Sequence, residues 1–163
     1  RSVYLPAGKW LDYNDKKTTY TGPTDITASA PLDIIPTYVK EGAIIPRGNI
    51  LKGNDNWTPN WSPSLEIEFF PSITGESIFN YYNGTEVKKI TCNSSGNSIS
   101  ISFDDLGTDG KLLIYCDGCT SVSMNGVLLA EGTDYTYDVT NKLLTINYSG
   151  STNLQIDGAL SIF

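Results

Sequence analysis

The 163-residue chain contains no histidine. Ser/His and Cys/His nucleophilic pairs, imidazole metal sites and histidine proton shuttles are therefore excluded together. Its three cysteines, Cys92, Cys116 and Cys119, cannot supply four zinc ligands without histidines. Cys116-Asp117-Gly118-Cys119 has redox spacing, but it follows the apolar run Leu112 to Tyr115 and reads as a strand end and turn, not as the opening of a helix. No apolar run reaches the roughly 18 to 20 residues of a membrane helix, and Arg1 is followed by no signal-peptide pattern. The chain reads as an internal fragment with no membrane partner. Basic residues are the minority, eleven against eighteen acidic ones for a net charge of -7, and a surface of that sign repels phosphate backbones, so no nucleic-acid partner is expected. Nothing in the chain calls for a metal or a cofactor.

What is present is period-two alternation. Leu65, Ile67 and Phe69 alternate with Ser64, Glu66 and Glu68; Ile99, Ile101 and Phe103 alternate with serines; Leu144, Ile146 and Tyr148 alternate with Thr145 and Asn147. No stretch of helical length keeps an apolar stripe. Asn83-Gly84, Asp117-Gly118 and Asn125-Gly126 are dipeptides that tolerate positive φ in tight hairpins. The expectation is an all-β chain of two antiparallel β-sandwich domains. Pro and Trp are concentrated before Pro-Ser-Ile-Thr-Gly at 71–75, and the later chain has neither, which places lobes at 1–75 and 76–163 with an exposed, cleavable join between Phe70 and Ser77. Gly48 to Pro63 lacks alternation and reads as a long loop.

The first lobe carries Val3-Tyr4-Leu5-Pro6-Ala7-Gly8-Lys9-Trp10-Leu11-Asp12-Tyr13, then Ala30-Pro31-Leu32-Asp33-Ile34-Ile35-Pro36 and Glu41-Gly42-Ala43-Ile44-Ile45-Pro46. Three blocks in this order resemble the segment that follows the catalytic barrel in family 31 glycoside hydrolases, the α-glucosidase-like enzymes. The resemblance covers about the first 46 residues, extends more weakly over Asn56 to Phe70, and beyond residue 76 is one of layout. It implies a proximal and a distal C-terminal β-sandwich, with the two catalytic aspartates in an upstream (β/α)8 barrel. No position here matches the catalytic motifs, so no catalytic residue is carried over. The implied function is a non-catalytic accessory region that stabilises that barrel, its partner, in an enzyme that hydrolyses or transfers α-glucosyl units. The alternative is an autonomous carbohydrate-binding module with an oligo- or polysaccharide partner. The residues expected to build the proximal core and its barrel-docking face are Tyr4, Leu5, Pro6, Trp10, Pro31, Leu32, Ile35, Pro36, Gly42, Ile44, Ile45 and Pro46.

Other features admit a functional and a plain structural reading. Trp57 and Trp61 could stack on sugar rings or pack against protein, and packing is favoured. Asp104, Asp105 and Asp109 could hold calcium, but turn formation is favoured because no calcium-loop spacing is present. Glu66 and Glu68 could imitate a catalytic carboxyl pair, and alternation instead places both on a solvated strand face. Tyr81, Tyr82, Tyr135, Tyr137 and Tyr148 could form an aromatic sugar surface or belong to core and edge. Glycosylation sequons at Asn56, Asn83, Asn93 and Asn147, and a weaker one at Asn60 before Pro63, point to a secreted or extracellular setting. One disulfide from Cys92 to Cys116 or Cys119 would then be expected, and the sequence does not choose between them.

Overall fold

The computed structural model describes residues 1–48 and 64–163. Those residues form fifteen strands and no α-helix. The expectation of an all-β fold is borne out.

Three sheets lie in layers. The first contains β1 (Ser2–Asp12), β2 (Thr19–Thr27) and β3 (Tyr38–Lys40) in the order β2-β1-β3. The middle sheet contains β4 (Ala43–Gly48), β5 (Leu65–Phe70), β9 (Gly110–Asp117), β12 (Tyr135–Asp138) and β13 (Leu143–Tyr148), ordered β12-β13-β9-β5-β4, with β15 (Leu160–Ser161) added against the end of β9. The outer sheet contains β6 (Thr74–Tyr82), β7 (Val87–Ser95), β8 (Ser98–Phe103), β10 (Ser121–Met124), β11 (Val127–Leu128) and β14 (Thr152–Asp157), ordered β11-β10-β14-β8-β7-β6. Every pairing of strands is antiparallel except β5 with β9, whose ends are joined by the hairpins of the outer sheet.

The middle sheet is covered on both faces, and its strands state this in sequence. Along β5, Leu65, Ile67 and Phe69 enter the core shared with the outer sheet, whereas Phe70 enters a smaller core with Leu11 and Val39 of the first sheet and Tyr115 of β9. Successive side chains of a strand point to opposite faces. Hence Leu-Glu-Ile-Glu-Phe-Phe serves two sandwiches at once. β9 repeats the pattern, with Leu112, Ile114 and Cys116 facing the outer core and Tyr115 stacked on Phe70 at 4.6 Å between ring centroids.

This arrangement corrects the boundary expected at residue 75. β4 and β5 are hydrogen-bonded to each other and β5 to β9, so residues 43–48 and 65–70 share a sheet with residues 110–117, 135–138 and 143–148. The change of packing partner falls between Lys40 and Ala43. Gly42 makes that turn with φ +81°, its N–H donating to the Phe70 carbonyl at 2.7 Å, and an added Cβ would lie 2.7 Å from Ser77 Oγ. Pro and Trp density tracks turns and edges, not sheet membership. The join at 71–75 is likewise held at one end: Pro71 is buried and its carbonyl accepts the Ser161 hydroxyl at 2.8 Å, while Ile73 to Glu76 are exposed. The long loop expected over Gly48 to Pro63 lies, apart from Gly48 in β4, outside the described residues.

Candidate functional site

The first sheet separates the motif residues into two groups. β1 pairs with β2 through a register shift between Leu5 and Gly8; Leu5 and Leu11 are both buried, Leu11 in the smaller core, while Tyr4 stays 60% exposed. Trp10 is half-buried; its indole N–H donates to the Pro6 carbonyl at 2.8 Å and Lys40 Nζ lies 6.0 Å above its ring. Between β2 and β3 the chain is irregular and displays Leu32, Ile34 and Ile35, with Leu32 as open as in an extended peptide and Ile35 82% exposed. Pro31 is exposed and Pro36 half-buried. Three of the expected docking residues are corrected. Leu5 is buried and Ile44 belongs to the larger core, so neither is free to meet a partner, and Ile45 is half-buried against the smaller core. Gly42 is a turn residue, and Pro46 sits within β4.

The larger correction concerns Glu68. Expected on a solvated face beside Glu66, it is fully buried between the first and middle sheets. Tyr13 Oη donates to its carboxylate at 2.5 Å, Arg47 Nη1 at 3.1 Å, Lys16 Nζ at 3.4 Å and Tyr115 Oη at 3.5 Å. A buried carboxylate is tolerable only when paired and hydrogen-bonded, and here two cations and two phenols meet that demand. Burial first, then Glu68, raises the Tyr13 pKa, and burial raises that of Tyr115. Burial pulls Lys16 down, but Tyr115 and Glu68 outweigh it and its pKa ends above the usual lysine value. Tyr13 and Lys16 come from the β1–β2 connection, Arg47 and Glu68 from β4 and β5, and Tyr115 from β9. The cluster fastens the first sheet to the middle one. Sequence spacing could not find it, because its members are up to 102 positions apart, Tyr13 to Tyr115.

The remaining candidates are dispersed. Tyr135 and Tyr148 are buried, Tyr81 is half-buried against the core, and Tyr137 Oη accepts the Gly118 N–H at 2.7 Å and donates to the Cys116 carbonyl at 3.0 Å. Only Tyr82 of the five stands well exposed, so they make no aromatic surface. Asp105 accepts the Gly107 N–H at 2.8 Å, the turn role favoured from sequence, and among the described residues no group of three or more acidic or cysteine side chains could hold a metal. The three cysteines are unbridged; burial pushes the Cys92 and Cys116 thiols up to about 12. The expected disulfide is absent because Cys92 lies on the outer sheet and Cys116 on the middle one, each inside the apolar core. Asn93 and Asn147 are exposed and Asn83 half-buried, its side-chain oxygen accepting the Thr85 and Glu86 N–H groups. Trp57, Trp61, Asn56 and Asn60 lie outside the described residues.

An open groove of about 1010 Å³ lies at one end of the outer sandwich, where the start of β5 meets the β8–β9 and β13–β14 turns. The sequence offers Asp105, Asp109, Asn147 and Tyr148 for other roles, and the groove that joins them comes from two turns and the start of β5.

With this geometry in view, the relatives are informative. Residues 1–45 match the family model described as the glycosyl hydrolase family 31 C-terminal domain. The 1,6-alpha-glucosyltransferase of Sporosarcina globispora is 30% identical over 115 residues, covering 63% of this chain and 9% of that protein. The isomaltosyltransferase of the same organism is 24% identical, covering 95% and 16%. The fold matches the Flavobacterium johnsoniae GH31 dextranase complexed with glucose, with TM-score 0.84 at 22% identity over 96% of this chain and 24% of that one. The match over residues 1–45 falls on the segment that carries the resemblance to family 31 glycoside hydrolases. It spans about a tenth to a sixth of the length of the curated relatives it matches.

Proposed function

We propose that this chain is the non-catalytic C-terminal region of a family 31 enzyme acting on α-glucosyl units, and that it supports an upstream catalytic barrel through the first sheet. The observation that carries the reading is the exposure of Leu32, Ile34 and Ile35 in the β2–β3 connection, with Tyr4 exposed on β1 of the same sheet. Exposed apolar clusters of this kind mark contact surfaces. Covering a Leu or Ile side chain is worth about 1.5–3 kcal/mol, so two or three of them give a docking contact of useful strength. The relatives act in the same sense: both Sporosarcina proteins are named as glucosyl or isomaltosyl transferases, and each is several times longer than this chain.

The chemistry of the chain supports the accessory role. Retaining glycosidases need two carboxyl groups about 5 Å apart in a partly dry cleft. Glu68 is buried and neutralised by two cations, and Asp105 is exposed and committed to its own turn. An extracellular setting belongs to the same proposal and draws on the surface positions of Asn93 and Asn147. A free-standing carbohydrate-binding module is disfavoured by the burial of most of the distal tyrosines.

In the full-length parent enzyme, Leu32→Asp with Ile35→Asp should lower the melting temperature of the catalytic unit and reduce its α-glucosidase or transglucosylase activity, while the same pair leaves the isolated chain folded. Unchanged melting and activity of the full-length double variant would defeat the docking reading.

A further inference from the structure

We propose that the groove at the end of the outer sandwich is a binding site for a neutral, hydroxyl-rich oligosaccharide, separate from whatever the upstream part of the parent acts on. Six residues define it: Ser64 before β5, Asp105 and Asp109 in the β8–β9 turn, Lys111 on β9, and Asn147 and Tyr148 at the end of β13. Their side chains alternate in hydrogen-bonding character. The two carboxylates only accept, Lys111 only donates, and the hydroxyls and the amide do both. One positive against two negative groups gives a weakly acidic lining that repels phosphate, and the absence of a three-ligand acidic cluster among the described residues argues against a cation. A ligand that is uncharged and offers donors and acceptors at close spacing remains. The volume lies at the upper end of the roughly 300–1,000 Å³ of small-molecule sites, room for more than one sugar unit, and the groove is open enough to admit a chain.

Tyr148 is the second, independent sign of a ligand. It is 3% exposed, lines the groove, and its hydroxyl has no hydrogen-bond partner among the described residues. Buried hydroxyls are nearly always paired, and an unpaired one in a native wall asks for an explanation. Burial, then Tyr81 and Asp109, raise its pKa, so it is held as a neutral phenol that can donate. Asp109 is exposed, and its carboxylate has no hydrogen bond or ion pair among the described residues. At Gly110 an added Cβ would lie 1.8 Å from the Leu65 carbonyl oxygen and 2.9 Å from Tyr148 Cε1, so that stretch of wall cannot carry a side chain. Binding would give the Tyr148 and Asp109 groups the partners they lack.

The test is titration calorimetry of the 163-residue chain with isomaltotetraose and with maltotetraose, at concentrations on the order of 10 mM. Heat of binding is expected with at least one of them. Asp109→Asn should weaken the affinity about tenfold, the effect of one charge-assisted hydrogen bond. Tyr148→Phe should weaken it about threefold to tenfold, with a thermal midpoint equal to or above that of the parent chain, because no internal partner is lost. Absence of heat with both sugars would overturn the site. So would binding that is indifferent to both substitutions, or a calcium-induced rise in melting temperature that Asp109→Asn abolishes without any sugar response. None of these outcomes bears on docking to the barrel, which the full-length variants test separately.

Discussion

The first sheet and the outer sandwich are built from the same kind of strand but are stabilised differently. The outer sandwich encloses Ile67, Phe69, Ile101, Leu112, Ile114, Leu144 and Leu154 with essentially no exposure, between two sheets that face each other over their full length. The first sheet has one covered face and contributes only Leu11 and Val39 to the small core it shares with Phe70 and Tyr115. Apolar burial scales with area, so the thin sheet cannot hold its place by packing alone. A polar cluster at the seam and an apolar face turned outward are what distinguish it. The first fixes it to the sandwich, and the second fits a further partner.

The largest expected effect breaks the stronger side of the comparison. Phe69→Ala should destabilise the chain by about 3–5 kcal/mol, since it removes a ring from the middle of the outer core with nothing able to fill the space. Leu11→Ala should cost less, about 2–3 kcal/mol, because the first sheet can relax around the loss. Urea denaturation followed by tyrosine fluorescence gives both values. If Leu11→Ala proves the more costly, the first sheet is not the weaker element.

The seam comes next. Removing both cations with Lys16→Ala and Arg47→Ala strands the Glu68 carboxylate in a buried position, and about 3 kcal/mol should be lost. Glu68→Gln should cost less, because Lys16 and Arg47 retain a route to water. The cluster also sets an alkaline limit. Tyr13 and Tyr115 have folded pKa values above their ordinary 10.0 and Lys16 above 10.5. A raised folded pKa means that the unfolded chain loses its proton first, so the contribution is complete below about pH 10 and declines as pH rises through the folded values. Melting temperature should therefore fall above about pH 10, and Tyr13→Phe should make that fall shallower. A melting curve equally steep in both chains would show that the seam does not set the limit.

Much of the first comparison was legible in sequence and much of the seam was not. Alternation marked β5, β8 and β13 because a half-buried strand must repeat every two residues. The same rule misread Glu68, since it assigns the second face of a strand to water and cannot see a third layer. The Pro-Ser-Ile-Thr-Gly join looked like a domain boundary, yet the parallel pairing of β5 with β9 is a contact between segments about 45 residues apart and leaves no local signature. Resemblance located the apolar face at Leu32 and Ile35, and exposure separated those residues from Leu5 and Ile44, which carry the same motif but serve the interior. The groove's residues Asp105, Asp109, Asn147 and Tyr148 were visible one by one, but their meeting was not, because turns offer no periodicity.

The cleavage expected at the join changes in outcome for the same reason. Protease can reach Ile73 to Glu76, but the pieces so produced remain tied by β4 and β5 in the middle sheet and by the Ser161 to Pro71 hydrogen bond. A nicked chain should elute from a sizing column at the position of the intact one. Two separated fragments would restore the boundary at residue 75.

The smallest expected effect is also the one that isolates the outward face. Leu32→Ser with Ile35→Ser should change the stability of the 163-residue chain by less than about 0.5 kcal/mol, because neither side chain touches enough of the protein to lose packing, and exposed positions away from caps and cores tolerate substitution. Solubility should rise, since an exposed apolar cluster is removed from the surface. The contrast with Leu11, a leucine of β1 with 1% exposure, makes the point within the first lobe: equal chemistry, buried against exposed, and a difference of roughly 2 kcal/mol. Denaturation of the double variant beside Leu11→Ala measures it. A loss above about 1 kcal/mol in the double variant would mean that Leu32 and Ile35 already have partners inside this chain, and a face that is already satisfied would have nothing left to offer a barrel.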